Sequence, residues 1–188
     1  RAAVDSVFES QRFVLGEQVS ALEDDIARFC GVSCAVGVAS GTDALLLSLK
    51  AIGVGPGDAV VTVPFTFFAT AGVIVNLGAR PIFIDIEPVG YEMDPERLAH
   101  FFSQECKYST STKRTIHKPS NTTVKAILPV HLYGQCTEME EIGAISRRYN
   151  VPVVEDACQA LGAVYKDRKA GSLGDFGCFS FFPSKNLG

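Results

Sequence analysis

Short apolar segments alternate with helix-like segments along most of this sequence. "DAVVTVP" and "RPIFIDIE" are rich in β-branched residues, and the apolar positions of the second hardly alternate, which is typical of a strand in a parallel sheet. Between them, "TFFATAGVIVNLG" has helical spacing and ends at Gly78. Strands that alternate with helices predict an α/β fold with a mostly parallel sheet, whose ligands bind beyond the carboxyl ends of the strands.

The alternation continues on both sides of these segments. "LGEQVSALEDDIARFCG" predicts a helix that ends at Gly31, and "DPERLAHFF" predicts one with Asp94 as its N-cap. We expect further helices in "GTDALLLSLKAIG" and "EMEEIGAISRRYN", and strands in "CAVGVAS", "VKAILPVHLYG", "VPVVEDA" and "FGCFSFF".

Residues 103–123 interrupt this pattern. Their sequence, "SQECKYSTSTKRTIHKPSNTT", is polar and rich in Ser and Thr. Because such a segment offers little apolar surface to bury, we expect a surface loop or insertion there.

The composition excludes several classes of partner. The chain has 188 residues, of which 47% are hydrophobic and 20% charged, and its formal net charge is −4. This describes one globular domain without the basic surface that nucleic acid or an anionic membrane attracts. Its sequence has no apolar segment long enough to cross a bilayer, and its N-terminus lacks the apolar core of a signal peptide, so we expect a cytoplasmic protein.

The cysteines lie mostly in apolar segments and form no CxxC pair. This distribution argues against a metal site or a disulfide framework, and favours small buried hydrophobic residues. The six are Cys30, Cys34, Cys106, Cys136, Cys158 and Cys178. We therefore expect no bound metal.

"ASGTDAL" places Ser40, Gly41 and Thr42 between a predicted strand and a predicted helix. Backbone N–H groups and the Thr42 hydroxyl would point at a spot where the helix dipole favours an anion such as phosphate. The alternative is that Ser40 or Thr42 simply caps the helix. Both interpretations are open, and the segment matches neither a Walker loop nor a dinucleotide fingerprint.

Asp156 ends a strand that is apolar enough to be central in the sheet. A carboxylate there is costly unless a cation or hydrogen bonds compensate it, so we expect a positive partner. Its neighbour Glu155 would be the exposed one of the two, since adjacent strand residues point to opposite faces. A structural salt bridge of Asp156 is the alternative interpretation.

Lys185 follows the apolar segment "CFSFFPS". A lysine in this position is a candidate amine nucleophile, although an exposed lysine in a turn is the commoner arrangement. A phosphate cradle, a carboxylate for a pyridinium nitrogen and a lysine able to form a Schiff base are together what pyridoxal 5'-phosphate (PLP) requires. The aromatic face for its ring would come from Phe65, Phe67 or Phe68, unless all three are core residues.

Five longer segments then carry a family resemblance. They are "SGTDALLLSLKAIGVGPGDAVV", "TFFATAGVIVNLGARPIFIDIE", "ILPVHLYGQ", "VVEDACQALGAVY" and "GSLGDFGCFSFFPSKNLG". In order and spacing they resemble the DegT-type sugar aminotransferases, which are PLP enzymes of the aspartate aminotransferase fold. The resemblance runs from about Gly16 and omits the polar segment. It implies a three-layer α/β/α architecture, with residues 1–188 as an incomplete PLP-binding large domain.

The resemblance also assigns residues to the cofactor. Lys185 would form the Schiff base, and Asp156 would pair with the pyridine nitrogen. The other expected contacts are Gly41, Thr42 and Ser180 at the phosphate, Phe67 against the ring and Gln159 near the phenolic oxygen. His131 and Tyr133 are expected near the site, on the substrate side.

The reaction implied by the resemblance is a transamination in amino-sugar biosynthesis. Glutamate would donate the amino group, a nucleotide-linked keto sugar would accept it, and the Lys185 amine would carry the proton. A dehydratase branch of the family has histidine in place of this lysine, so Lys185 favours transamination. The relatives are homodimers, which makes a homodimer the expected assembly.

The two ends of the sequence lead us to expect an excerpt of a longer protein. The first residue is Arg1 rather than methionine, and Gly188 directly follows an apolar segment. Family members continue past the lysine with further strands and a small C-terminal domain. The alternative function is that of a truncated, noncatalytic family member with a binding or regulatory role.

Overall fold

The structure, a computed structural model, describes residues 2–187. Within this range the α-helices are α1 Ala2–Ser10, α2 Glu17–Cys30, α3 Gly41–Ala51, α4 Phe68–Asn76, α5 Pro95–His100 and α6 Met139–Tyr149. The strands are β1 Asp58–Thr62, β2 Arg80–Phe83, β3 Cys106–Ser109, β4 Arg114–His117, β5 Thr122–Ile127, β6 Val154–Asp156, β7 Val164–Tyr165, β8 Arg168–Lys169 and β9 Phe176–Cys178.

The helix ends form for local reasons that the sequence predicts. Gly31 ends α2 in the left-handed region, at φ 72°, where glycine has no side chain to clash. Asp94 caps α5, because its carboxylate accepts from the backbone N–H groups of Glu96 and Arg97, and Pro95 takes the first helical position. One turn of π-helix, Phe101–Glu105, follows α5 directly.

The central sheet is parallel in its core. Five strands lie in the order β2-β1-β5-β4-β3, with β1 parallel to both β2 and β5. β6 and β9 pair in parallel and continue the sheet beside β5 through the bridges Ile127 to Val153 and Val130 to Asp156. The short β7–β8 hairpin stands apart. The mostly parallel α/β arrangement is the predicted one.

Helices cover both faces of this sheet, so its strands are apolar on both sides. On one face Val60 packs with Leu45 of α3 and Val73 of α4. On the other face Val61 packs with Leu98 of α5 and Ile142 of α6. Consecutive residues of β1 are thus both buried, which explains why the strand segments show so little alternation.

The predicted strand "CAVGVAS" is wrong. Residues 34–39 have no regular structure, and Val36 is 75% exposed. A strand needs a partner for its N–H and C=O groups, and no described segment pairs with this one. The Gly37 N–H donates to the Glu23 carboxylate instead, at 2.6 Å.

The prediction of a loop at residues 103–123 is also wrong for most of the segment. β3 and β4 form an antiparallel hairpin, and β4 pairs with the first residues of β5. Cys106, Thr115 and His117 are buried on it, and the Thr115 hydroxyl donates to the Tyr149 carbonyl at 2.7 Å. The polar composition of the segment led to the wrong prediction. Threonine is polar, but it has a high strand propensity and hydrogen-bonds well at a sheet edge. That the segment is an insertion stays a prediction.

In the described range all six cysteines are free thiols, and no group of three or more acidic, His or Cys side chains is arranged to hold a metal ion. None of the helices between residues 2 and 187 combines the length and the apolarity needed to cross a membrane.

Candidate functional site

The carboxyl ends of β1, β5, β6 and β9 lie along one edge of the sheet. Asp156 stands in the middle of this edge. Its backbone N–H donates to the Pro129 carbonyl at 2.9 Å, and its carbonyl accepts from the His131 N–H at 3.0 Å. On the other side, the Ala157 N–H donates to the Cys178 carbonyl at 2.9 Å. Residues that are far apart in the sequence therefore meet around Asp156.

The Asp156 carboxylate is nearly buried, with 6% of the residue exposed. Its Oδ2 accepts from the Thr70 hydroxyl at 2.7 Å, and its Oδ1 accepts from the Cys158 N–H at 3.3 Å. None of the ion pairs within 4.0 Å in the described chain involves Asp156. The cation expected for this carboxylate is thus not a side chain of residues 2–187, and the salt-bridge alternative is wrong.

Glu155 is not the exposed partner that strand alternation predicts. It is fully buried, because the sheet is covered on both faces. Its carboxylate accepts from three backbone N–H groups of the 171–174 turn, those of Gly171, Leu173 and Gly174, at 2.6 to 2.7 Å. Glu155 therefore fastens this turn to β6 from inside the protein.

His131 belongs to the same buried group. It is fully buried, and its Nε2 lies 2.9 Å from the Glu155 carboxylate. The Thr137 N–H donates to its Nδ1 at 3.3 Å. With both ring nitrogens engaged by protein groups, His131 has no side-chain atom free to meet a substrate. Its expected position on the substrate side stays a prediction.

The start of α3 forms a tight cradle with β9 and the segment after β6. A Cβ atom on Gly41 would lie 2.9 Å from Cys158 Sγ and 2.9 Å from Ser180 Cβ, closer than real contacts allow. The backbone at Gly41 can thus approach Ser180 closely because glycine has no side chain. Two of the residues expected at the phosphate are side by side.

The capping interpretation of "ASGTDAL" is confirmed for Ser40, and phosphate binding at Gly41 and Thr42 stays a prediction. Ser40 caps α3, since its hydroxyl accepts from the Asp43 N–H at 3.1 Å. The N–H groups of Gly41 and Thr42 lie in the first turn, where no intrahelical acceptor exists, and Thr42 is exposed. The cap therefore leaves two backbone donors and one hydroxyl available to an anion.

Lys185 lies near this cradle and is half-buried, in a turn closed by its N–H donating to the Phe182 carbonyl at 2.7 Å. The charge of Lys185 affects the pKa of the Cys158 thiol, so the two side chains lie near each other. Burial raises the pKa of that thiol, the adjacent Asp156 carboxylate raises it further, and the Lys185 ammonium lowers it. Lys185 and Asp156 are therefore both within electrostatic reach of one sulfur atom. The role of Lys185 as the Schiff-base lysine stays a prediction.

The aromatic residues after β1 are not core residues. Phe65, Phe67 and Phe68 are 44%, 68% and 81% exposed. Phe67 is the N-cap residue of α4 and stands one turn before Thr70, which contacts Asp156. An exposed ring so near the carboxylate is available for stacking on a planar ligand.

Gln159 and Tyr133 contact each other at the edge of the site. The Tyr133 backbone N–H donates to Gln159 Oε1 at 2.9 Å, and the Tyr133 side chain is exposed. The Gln159 amide keeps its two N–H donors for another group. The cofactor and substrate roles of both residues remain predictions.

Sequence reasoning missed Thr70 and Cys158 as neighbours of Asp156. Thr66 and Thr70 are four residues apart in a segment that the sequence predicts to be helical, so one signal was present: two hydroxyls expected on one helix face. In the structure only Thr70 lies within α4. Their common target could not be read, because Asp156 lies 86 residues beyond Thr70. Cys158 gave no signal beyond being next to the acidic pair.

The family model of the DegT/DnrJ/EryC1/StrS aminotransferase family matches residues 1–188. The chain belongs to this family. The resemblance stated from the sequence segments is thereby confirmed.

Individual relatives have names of two kinds. The chain is 45% identical over 185 residues to a pleiotropic regulatory protein of Geobacillus stearothermophilus, covering 98% of this chain and 45% of that protein. It is 42% identical over 187 residues to the UDP-2-acetamido-2-deoxy-3-oxo-D-glucuronate aminotransferase of Pseudomonas aeruginosa, covering 100% of this chain and 47% of the enzyme. The chain therefore spans about half the length of these curated relatives.

A solved structure of the same family supports the fold. A DegT/DnrJ/EryC1/StrS aminotransferase from Brucella abortus superimposes with a TM-score of 0.89 at 36% identity, covering 100% of this chain and 47% of that one. The predicted fold, part of the large domain of the aspartate aminotransferase fold, is confirmed.

Proposed function

We propose that this chain carries the cofactor-binding core of a PLP-dependent aminotransferase that moves an amino group from glutamate to a nucleotide-linked keto sugar. The observation that carries the proposal is the nearly buried Asp156 carboxylate, which has hydrogen-bond donors but no cation within 4.0 Å among the described residues. A protonated pyridine nitrogen is the positive group that such a carboxylate lacks.

The cradle at Gly41 supports the same cofactor. Only glycine allows the backbone of α3 to approach Ser180 and Cys158 this closely. The helix N-terminus, the Thr42 hydroxyl and the Ser180 hydroxyl then offer donors for a phosphate dianion. The residues present thus fit both charged ends of PLP, the phosphate and the ring nitrogen.

When bound, PLP supplies an electron sink for chemistry at the α-carbon of an amino acid. Asp156 would hold the proton on the ring nitrogen by its negative charge. Lys185 would hold the cofactor covalently through its amine and, once released, move a proton as a general base and acid. Gln159 would donate from Nε2 to the phenolic oxygen, and Phe67 would cover one face of the ring.

The substrate class follows from the relatives. The Pseudomonas aeruginosa enzyme is named for a UDP-linked 3-oxo sugar acid, and we assign the same class, nucleotide-linked keto sugars, to this protein. Tyr133, which is 75% exposed beside Gln159, is the described residue best placed to touch a substrate.

The test is PLP binding by the full-length protein and its variants. Wild type should develop the visible absorbance of a Schiff base, and borohydride should fix the cofactor to the peptide that contains Lys185. Lys185→Ala should abolish both signals, while Lys107→Ala, at an exposed lysine of β3, should change neither. A wild-type protein that takes up no PLP would refute the proposal.

The noncatalytic alternative predicts a different outcome. A protein that binds PLP through Lys185 but never transfers an amino group from glutamate, tested against a panel of nucleotide-linked keto sugars, would be a binding or regulatory protein. One relative is named a pleiotropic regulatory protein, but the buried Asp156 and the cradle at Gly41 support a cofactor site, and transamination is the function that we propose.

The assembly and location are further parts of the proposal. Exposed apolar side chains near α1, including Phe8, Phe13 and Leu15, support burial in a homodimer. Light scattering of the purified protein would measure the subunit number, and a monomer at micromolar concentration would contradict the dimer. The free thiols support a reducing, cytoplasmic location, which cell fractionation would test.

A further inference from the structure

We propose that Thr70 is a positioning residue that fixes and polarises the Asp156 carboxylate, with Thr66 as the second donor of a short hydroxyl chain. The proposal rests on the proposed function, because the two hydroxyl groups would serve to present Asp156 to a cationic ring nitrogen. Thr70 would act through Asp156, its hydrogen-bond partner, rather than by touching the cofactor or the substrate itself.

The direction of the hydrogen bonds follows from the chemistry of the groups. An ionised carboxylate can only accept, so the Thr70 hydroxyl donates its single hydrogen to Asp156 Oδ2 at 2.7 Å. The Thr66 hydroxyl lies 2.7 Å from that of Thr70, which has only its lone pairs left. Thr66 must therefore donate to Thr70, and the chain runs from Thr66 to Thr70 to Asp156.

Burial makes the Thr70 bond effective. Thr70 is fully buried and Asp156 is 6% exposed, so little water competes for the carboxylate. Hydrogen bonds to a charged group are stronger in such surroundings than in water, and a donor that itself accepts a hydrogen bond is strengthened further. The bond therefore holds Oδ2 of the carboxylate in a fixed position.

A neutral donor has an advantage over a cation at this position. A lysine or arginine beside Asp156 would compensate its charge and weaken its attraction for another cation. The Thr70 hydroxyl and the Cys158 backbone N–H hold the carboxylate without neutralising it, so its negative charge stays available to the ring nitrogen.

The segment that enters α4 also presents Phe67. Thr66 and Thr70 flank the start of α4, and Phe67 is its N-cap residue. In this short segment the buried Thr70 thus holds the Asp156 carboxylate, while the Phe67 ring is exposed. A rigid link of this kind would align the ring-stacking residue with the carboxylate that meets the ring nitrogen.

The experiment uses three variants of the full-length protein and two ligands. Thr70→Val removes the hydroxyl at nearly constant volume, and Thr70→Ser restores it. Thr62→Val is the matched control, because Thr62 is equally buried and its hydroxyl donates to the Leu128 carbonyl at 2.8 Å rather than to Asp156. The ligands are PLP and its carbocyclic analogue, in which a C–H replaces the ring nitrogen.

Thr70→Val should bind PLP about tenfold more weakly, the factor that corresponds to one lost hydrogen bond to a charged group. Its affinity for the analogue should match that of Thr62→Val, since the analogue has no ring nitrogen. Thr70→Ser should bind PLP like wild type. With ¹⁵N-labelled PLP, the nitrogen resonance of Thr70→Val should move toward the unprotonated form. Equal losses for both ligands would overturn the proposal.

Failure of the proposed function would be recognised separately. If wild type binds no PLP, that function fails, and the crystal structure of cofactor-free Thr70→Val still decides the role of Thr70. We expect the Asp156 carboxylate to rotate away from the wild-type position in Thr70→Val and to keep it in Thr70→Ser. An unmoved carboxylate in Thr70→Val would show that Thr70 does not position it.

Discussion

Gln159 and Tyr133 are joined by a hydrogen bond from the Tyr133 backbone N–H to Gln159 Oε1, 2.9 Å long. Tyr133 has left-handed backbone angles, φ 55° and ψ 18°, which cost a non-glycine residue about 1–2 kcal/mol. The bond helps to hold this turn in place. It also fixes the orientation of the Gln159 amide, so that Nε2 is the end left to donate to a ligand.

We predict that Gln159→Glu and Gln159→Ala separate these two tasks. Glutamate keeps an acceptor for the Tyr133 N–H but loses the Nε2 donor, whereas alanine loses both. Gln159→Ala should lower the free energy of unfolding by about 1 kcal/mol, measured by urea denaturation, and Gln159→Glu by less. Both should weaken PLP binding. Gln18→Ala, at an exposed position of α2, is the control, and an alanine variant as stable as this control would contradict the prediction.

Gly41→Ala should damage the cradle. The new Cβ would lie 2.9 Å from both Cys158 Sγ and Ser180 Cβ, so one side of the cradle must move. We expect a loss of about 1–3 kcal/mol in the free energy of unfolding, typical of an overpacked site, and weaker binding of PLP. The matched control is Gly55→Ala, because a Cβ there meets no atom within 4 Å. If the two variants behave alike in thermal unfolding and PLP titration, the close approach has no importance.

Removing the Glu155 carboxylate should be among the most destabilising single changes in the chain. It accepts from His131 Nε2 and from the backbone of the 171–174 turn, all of which Glu155→Ala would leave without an acceptor. Breaking such a buried set costs about 3–5 kcal/mol, to be measured by chemical denaturation. Glu9→Ala, at an exposed glutamate of α1, should change stability by less than about 0.5 kcal/mol. A small loss in Glu155→Ala would mean that water replaces the carboxylate.

Glu92 should make stability depend on pH. Burial raises the pKa of its carboxyl and the nearby Glu87 carboxylate raises it further, while a hydrogen bond from its own backbone and one from Gln135 lower it. Its Oε1 is buried without a hydrogen-bond partner in the described chain, and its Oε2 accepts from Gln135 at 3.1 Å. Ionising the folded form is therefore harder than ionising the unfolded form.

The sign of the effect follows from this raised pKa. Below the unfolded value both states hold the proton and Glu92 has no effect on stability; as the pH rises, the unfolded state loses its proton first, so the folded state is progressively disfavoured. The stability of wild type relative to Glu92→Gln should begin to fall as the pH rises through the ordinary pKa of a glutamate carboxyl, and should level off once the folded protein has lost this proton as well. Denaturation curves at several pH values measure this, with Glu9→Gln as control. A constant difference across the range would rule out a raised pKa.

The site shows how far local patterns reach. The sequence predicts where the strands end, and it predicts that a glycine, a threonine, an aspartate and a lysine follow those ends. Each of these patterns is local, and parallel strands bring their carboxyl ends to one edge of the sheet. Gly41 beside Ser180 agrees with that expectation. The burial of Glu155 and His131 could not be predicted, since alternation along a strand does not show whether both faces of the sheet are covered.

The sequence by itself determined the α/β class with its mostly parallel sheet, the helix caps at Gly31 and Asp94, and the family of the protein, because spacing and motif are properties of neighbouring residues. It did not reveal that residues 34–39 form no strand or that the polar segment contains β3 and β4. Only the tertiary structure decided which groups meet Asp156: a threonine hydroxyl from α4 and a backbone N–H, with no cation among residues 2–187. The burial of side chains and the contacts between distant segments arise when the layers pack together, so a local sequence pattern cannot predict them.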